Sequence, residues 1–250
     1  MEVWRNIKDY ILAYSSEKYY LVSFPKTGRS WLMYMLSDII NLTNIDVSIQ
    51  KTHDLSEIII EDGTRQNPNL LFKYLKRFRY RRSNVIFLVR DPRDVIVSHY
   101  HQVTKRSKNP FIFSSISDFV QDDVIGFNRI IHFYNLWFLN RSVPISFHLV
   151  KYEDLLHNGV GELLDLCNFL GINVDRSSLE GIYQKSSASI MRNKEIKNQL
   201  QGFQDFGKDR DQLKVRKAKI GGYLDELSDE DIDYCNKRMQ LLNPFFNYSR

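Results

Sequence analysis

The sequence predicts an α/β domain built on a parallel sheet, and three observations carry that prediction. Short β-branched and aromatic runs alternate along the chain with longer segments of helical period. The run Val85-Ile86-Phe87-Leu88-Val89 is apolar at every position, as a strand covered on both faces requires. Strand-like runs also lead straight into helix starts, marked by Gly28 in one place and by Asp91-Pro92 in another.

Taken in order, Tyr19 to Phe24 reads as the first buried strand. A helix begins near Ser30, its apolar positions Leu32, Met35, Leu36, Ile39 and Ile40 falling at helical spacing. Val47 to Gln50 reads as a short strand and Val85 to Val89 as the central one. Asp91 caps the next helix, with Pro92 in its first turn. Ile145 to Val150 is a further strand. Helices follow over Glu162 to Leu170, stopped by Gly171, and over Asp229 to Leu242, capped by Ser228. Arg192 to Gly222 is polar and weakly periodic, which predicts a long irregular segment of the kind that serves as a mobile lid. The whole of 1–250 reads as one domain.

Composition narrows the class. The 250 residues are 43 % hydrophobic and 26 % charged, ordinary for a globular protein and unlike a disordered or collagenous chain. The longest apolar run, Trp31 to Leu36, falls far short of the ~20 residues of a membrane span. No secretory signal is visible in the first twenty residues. Cys167 and Cys235 make neither a disulfide framework nor a metal motif, which points to a reducing cytoplasm. The net charge of +5 is uneven: Arg192 to Lys219 holds nine basic and four acidic residues. A second basic cluster, Lys73 to Arg82, reads as a solvated helix face. Such a bias suits nucleic acid, an acidic membrane or a polyanionic small ligand equally well.

Three short constellations carry chemistry. Phe24-Pro25-Lys26-Thr27-Gly28-Arg29-Ser30-Trp31 joins a strand to a helix N-terminus, where free N–H groups and the dipole form an anion site. It is not the nucleotide-triphosphate loop, which ends in Gly-Lys-Ser/Thr. Arg90 leaves the C-terminal end of a strand, where ligands of open α/β sheets bind, and Ser98 lies two turns along the following helix. Together they can fork around one phosphate. Lys51-Thr52-His53-Asp54 puts a histidine, half-neutral near pH 7, beside the anion site as a natural base for an alcohol. Asp54 and Glu57 are the next groups in line for that task.

These segments resemble those of the soluble PAPS-dependent sulfotransferases (PAPS, 3′-phosphoadenosine 5′-phosphosulfate). Phe24 to Trp31 is similar to the family's 5′-phosphosulfate loop, Arg90 to Ser98 to its 3′-phosphate motif, and Lys51-Thr52-His53 to the segment with its catalytic base. Lys151-Tyr152-Glu153-Asp154 resembles the stretch whose tyrosine contacts the adenine. Ser186-Ser187-Ala188 with Met191 resembles Thr-Ser-Phe-x-x-Met, with Ala188 in place of the phenylalanine that packs on adenine. Arg216-Lys217-Ala218 and Gly222-Tyr223 resemble the Arg-Lys-Gly…Gly-Asp-Trp segment over the 3′-phosphate, with Ala218 departing from glycine. Gly126 to Ile130 and Asn135 to Trp137 resemble bacterial members more than animal ones, and the family's C-terminal dimer motif is not found.

The resemblance implies a three-layer α/β/α fold with a central parallel sheet and a P-loop-like phosphosulfate loop. It implies transfer of a sulfuryl group from PAPS to a hydroxyl or amine of a small-molecule or glycan acceptor, without a metal and without nucleic acid. His53, Lys26 and Ser98 take the catalytic roles. Lys26, Thr27, Gly28, Arg29, Ser30, Trp31, Arg90, Ser98, Tyr152, Ser186, Arg216, Lys217 and Ala218 hold the donor, Trp31 stacking on its adenine. Two rivals remain. A P-loop small-molecule kinase shares the strand–loop–helix unit but needs the missing Gly-Lys-Ser/Thr. A non-catalytic nucleic-acid binder would leave His53 and Ser98 without a role.

Overall fold

A computed structural model describes residues 18–54, 77–107, 110–200, 213–216 and 218–248. Four parallel strands, β1 (Lys18–Ser23), β2 (Ile49–Thr52), β3 (Ser83–Val89) and β4 (Ser146–Lys151), form a sheet in the order β2-β1-β3-β4. The helices are α1 (Arg29–Thr43), α2 (Pro92–Lys105), α3 (Ile116–Gln121), α4 (Phe127–Leu139), α5 (Tyr152–His157), α6 (Gly159–Phe169), α7 (Arg176–Lys185), α8 (Ala188–Ile196) and α9 (Asp229–Met239).

Alternation along the strands splits the core in two. Val85, Phe87 and Val89 point to the face covered by α2, α4 and α9. Ile86 and Leu88 point to the opposite face, against Leu32, Met35, Leu36 and Ile39 of α1 and the apolar residues of α6 and α7. All seven residues of β3 are buried, so the continuous apolar run is a strand covered on both sides. The result is the expected three-layer α/β/α fold.

Helix starts follow the sequence closely. The Asp91 carboxylate accepts from the Arg93 N–H at 2.9 Å with Pro92 in the first turn, and Ser228 accepts from the Asp231 N–H at 3.2 Å. The second strand lies slightly later than expected, at Ile49–Thr52, because it takes its register from Tyr19–Val22 of β1. Two expectations need correction. The segment from Arg192 is not irregular throughout, since α8 runs on to Ile196 and buries Met191 and Glu195. The Lys73 to Arg82 cluster is not simply a solvated face: Arg77 is 1 % exposed and ion-pairs with Asp54 at 2.7 Å. Arg79, Arg81 and Arg82 are exposed, while Lys73 and Lys76 lie outside the described residues.

Phe87 sits at the centre of one core layer, its ring against Phe133, Tyr134, Trp137, Phe147 and Phe246. Phe87→Ala should cost about 3–5 kcal/mol in urea unfolding. Ile145→Ala, at a position 69 % exposed, should change stability by less than about 0.5 kcal/mol. Equal costs at the two positions would contradict this placement of the core.

Candidate active site

Each strand ends in a residue that faces one cavity. Pro25, Lys26 and Gly28 follow β1, His53 follows β2, Arg90 follows β3 and Tyr152 follows β4. This is the carboxyl edge of the sheet, where open α/β folds bind ligands. The cavity holds about 500 Å³, within the range of small-molecule sites.

The turn after β1 is locally strained. Lys26 has φ +72 and Gly28 φ +100, both in the left-handed region. At Gly28 no side chain is possible, because a Cβ would lie 2.6 Å from the Tyr152 ring. Lys26 accepts a conformation that costs a non-glycine residue ~1–2 kcal/mol, and its Nζ donates to Gln102 Oε1 at 3.3 Å. Burial first, then Arg106 and Lys214, pushes the Lys26 amine down to about 7. The Thr27 hydroxyl does not reach the cavity, since it is buried and donates to the Phe24 carbonyl at 3.0 Å. Arg29, Ser30 and Trp31 do line it.

His53 lies with Nδ1 2.8 Å from the Ser23 carbonyl oxygen. A carbonyl can only accept, so Nδ1 carries the proton and Nε2 is the basic nitrogen. Burial, then Arg29, pushes the His53 pKa down to about 3, which corrects the expectation of a half-neutral ring near pH 7: the ring is neutral throughout the physiological range. Asp54 is not a reserve base. It turns away from the cavity with φ +44, paired with Arg77 at 2.7 Å and accepting from Arg79 and from the Tyr80 hydroxyl at 2.9 Å each. Glu57 lies outside the described residues.

Arg90 lies 4.4 Å over the Tyr152 ring and pairs with Asp94 at 3.5 Å. Its Nη2 donates to the Lys219 carbonyl at 3.0 Å, and its Nε is buried without a hydrogen-bond partner. Ser98 lines the same cavity two turns along α2 from Asp91. The Trp31 ring meets Tyr152 edge-on at 5.6 Å, and its Nε1–H donates to the Ser186 carbonyl at 2.7 Å. Ser186 is therefore a backbone anchor for Trp31; its own hydroxyl is turned inward, donating to the Tyr183 carbonyl at 2.7 Å.

The basic segment lies across the cavity as a strap. Glu195 accepts from the Lys214 N–H and, at 2.9 Å, from the Val215 N–H, while Arg192 donates to the Val215 and Arg216 carbonyls at 3.1 and 2.9 Å. Asp94 accepts from the Gly221 and Tyr223 N–H groups at 2.9 and 3.0 Å. Arg216 and Ala218 line the cavity, Arg216 being also paired with Glu226 at 2.6 Å. Ala218 holds φ +51, the region that a glycine would occupy without strain. Lys217 lies outside the described residues.

Sequence reasoning missed Lys214, His99, Gln102 and the anchoring carboxylates Asp94 and Glu195. Lys214 lines the cavity and is pushed down to about 8 by burial, then Arg106. His99 also lines it, while His101, two residues on, pairs with Glu226 at 2.6 Å. Asp94, in the first turn of α2, could have been found from its position four residues after Arg90 at the strand end. No grouping of His, Cys, Asp and Glu suited to a metal ion occurs among the described residues, and no described helix is long and apolar enough to cross a membrane.

Lysines, arginines and a neutral histidine thus line one cavity beside a strand–turn–helix junction. Comparison with known proteins makes the class specific. The profile of the sulfotransferase domain matches residues 16–243, so this chain belongs to the sulfotransferase family. Among curated relatives, rat Sulfotransferase 2A6 is 24 % identical over 196 residues, covering 71 % of this chain and 68 % of its own. Flavonol 3-sulfotransferase of Flaveria bidentis is 25 % identical over 246 residues, covering 87 % and 79 %. Human Sulfotransferase 2A1 is 26 % identical over 261 residues, covering 96 % and 88 %. The fold matches mouse sulfotransferase SULT7A1 complexed with PAP, with TM-score 0.65, 18 % identity and coverage of 90 % and 83 %. It also matches retinol dehydratase in complex with androsterone and PAP, with TM-score 0.62, 15 % identity and coverage of 89 % and 79 %.

The buried histidines make the fold acid-sensitive. Burial pushes His53 and His99 down from 6.5 to about 3. Between those values the unfolded chain binds protons that the native state does not, so stability is complete above about 6.5 and falls as pH drops toward 3. The urea midpoint should therefore be lower at pH 5 than at pH 7, and His53→Gln should shrink that difference. A difference of the same size in the variant would contradict a neutral, desolvated His53.

Proposed function

We propose that this chain transfers the sulfuryl group of PAPS to a hydroxyl of a small-molecule or glycan acceptor, with His53 as general base. The observation that carries the reading is that the turn after β1, the Arg90–Ser98 pair and His53 all border one cavity. Three features of this cavity suit the donor. Gly28, left-handed and close under the Tyr152 ring, turns the chain into the N-terminus of α1, the end of a helix that attracts an anion. The buried Arg90 Nε has a donor to spend. Lys26 and Lys214, both held low by burial and neighbouring cations, gain charge when an anion arrives.

When bound, PAPS supplies a sulfuryl group on a nucleotide phosphate leaving group. In this reading the N–H groups of residues 27–31 hold its 5′ end and Arg90 with Ser98 holds the 3′-phosphate, joined by Arg216 and Lys217 from the strap. Trp31 and Tyr152 border the adenine, Trp31 fixed by the Ser186 carbonyl; Ala188 and the buried Met191 line the same cavity. His53 Nε2 takes the acceptor's proton as its oxygen attacks sulfur in line. The Lys26 ammonium offsets charge on the oxygen that bridges sulfur to the leaving phosphate. Residues 1–250 act as one domain, with part of 192–222 as the movable cover. The buried free thiols Cys167 and Cys235 suit a cytoplasmic setting.

His53→Ala should lower turnover by ~10²- to 10⁴-fold with donor affinity nearly unchanged. Arg90→Ala should weaken adenosine 3′,5′-bisphosphate binding roughly ten- to a hundredfold. Single-turnover transfer of labelled sulfate and calorimetry separate the two effects. Full turnover in His53→Ala would move the base elsewhere, and unchanged affinity in Arg90→Ala would undo the 3′-phosphate assignment.

A further inference from the structure

His99 follows Ser98 on α2 and lines the cavity while being only 8 % exposed. Its ring packs against Phe24 and Phe119, each with centroids 5.6 Å away. Nδ1 is sealed in without a hydrogen-bond partner, which leaves Nε2 as the nitrogen on the cavity side. Burial, then Lys26, holds the ring neutral, so it keeps one donor and one acceptor nitrogen. A phenyl ring would fill this aromatic seat without leaving a buried nitrogen unpaired. Packing therefore gives no reason for a histidine here.

Three residues on, Gln102 faces the same space. Its amide is held by two long contacts, accepting from Lys26 Nζ at 3.3 Å and donating to the Arg106 carbonyl at 3.4 Å, so it can exchange partners easily. His99 is near enough to His53 to bear on its charge, and it lines the cavity together with Gln102, Lys214, Val103 and Ile125. A sterol or flat phenol pressed there would strip water from these polar groups and return no hydrogen bonds. A hydroxylated acceptor would satisfy them.

Resting on the donor and base reading above, we propose that the acceptor is a compact polar alcohol, a sugar or polyol, whose neighbouring hydroxyls hydrogen-bond to His99 and Gln102. His99 is then a specificity-determining residue. The discrimination comes from polar groups that go unpaired with the wrong acceptor.

The test offers the protein labelled PAPS with glucose, N-acetylglucosamine and myo-inositol on one side, and 4-nitrophenol and dehydroepiandrosterone on the other. Transfer to at least one polar acceptor should exceed that to the apolar pair at least tenfold in kcat/KM. His99→Phe should lower kcat/KM for that polar acceptor about tenfold, mainly through KM, as the loss of one hydrogen bond implies. His99→Gln should restore part of it, and calorimetry with adenosine 3′,5′-bisphosphate should read the same affinity throughout. If His99→Phe fails to fold, His99→Leu carries the same expectation. Preference for the phenol or sterol, transfer to no polar acceptor, or an equal loss for every acceptor would overturn the proposal. Failure of the wild type to bind the bisphosphate would overturn the donor reading beneath it.

Discussion

Two buried carboxylates, Asp94 and Glu195, make a cavity full of like charge compatible with folding. Lys26, Arg29, Arg90, Lys214 and Arg216 all line one cleft, and each loses water there. Cations so placed repel one another and resist desolvation. Asp94 balances Arg90, and Glu195 lies 3.6 Å from Arg106. Both carboxylates then spend their remaining oxygen lone pairs on backbone N–H groups of the strap, so charge balance and closure of the cavity are one interaction. Lys26 and Lys214 remain pushed toward neutrality. The residual imbalance is a standing attraction for a polyanion.

Position on one helix does much of the rest. Asp94, Ser98 and Gln102 recur every four residues along α2 and share the face turned to the cavity. Asp94 ties down the strap, Ser98 lines the cavity and Gln102 holds Lys26. His99, one residue off that row, reaches the far side of the cavity between Phe24 and Phe119. Tyr152 links the other elements: it excludes any side chain at Gly28, lies under Arg90 and meets the edge of Trp31. A change of its ring would be felt in the turn after β1, at Arg90 and at the Trp31 ring together.

The sheet was legible because burial on both faces leaves a continuous apolar run, as in β3, and because helix caps such as Asp91 and Ser228 act within three residues of themselves. The residues that the structure gathers into one cavity were legible where the pattern is local: a turn at a helix start, an arginine at a strand end with a serine on the next helix, a histidine after a strand. It was illegible where partners lie far apart in sequence. Nothing near Arg77 announces its pairing with Asp54, 23 residues earlier, and nothing near Lys214 announces Glu195 across the strap. The His53 pKa depends on burial and on Arg29, neither of which adjoins it in sequence. Thr27 and Ser186 show the converse, since matching residue types face away from the cavity and leave only their backbone to serve it.

The most direct measurement is calorimetric titration with adenosine 3′,5′-bisphosphate beside AMP and magnesium ATP. On the proposal that Arg90 and Ser98 hold a 3′-phosphate, the bisphosphate should bind at least tenfold more tightly than AMP, and magnesium ATP no better than AMP. Equal affinity for AMP and the bisphosphate, or tightest binding of magnesium ATP, would contradict a cavity built for this donor.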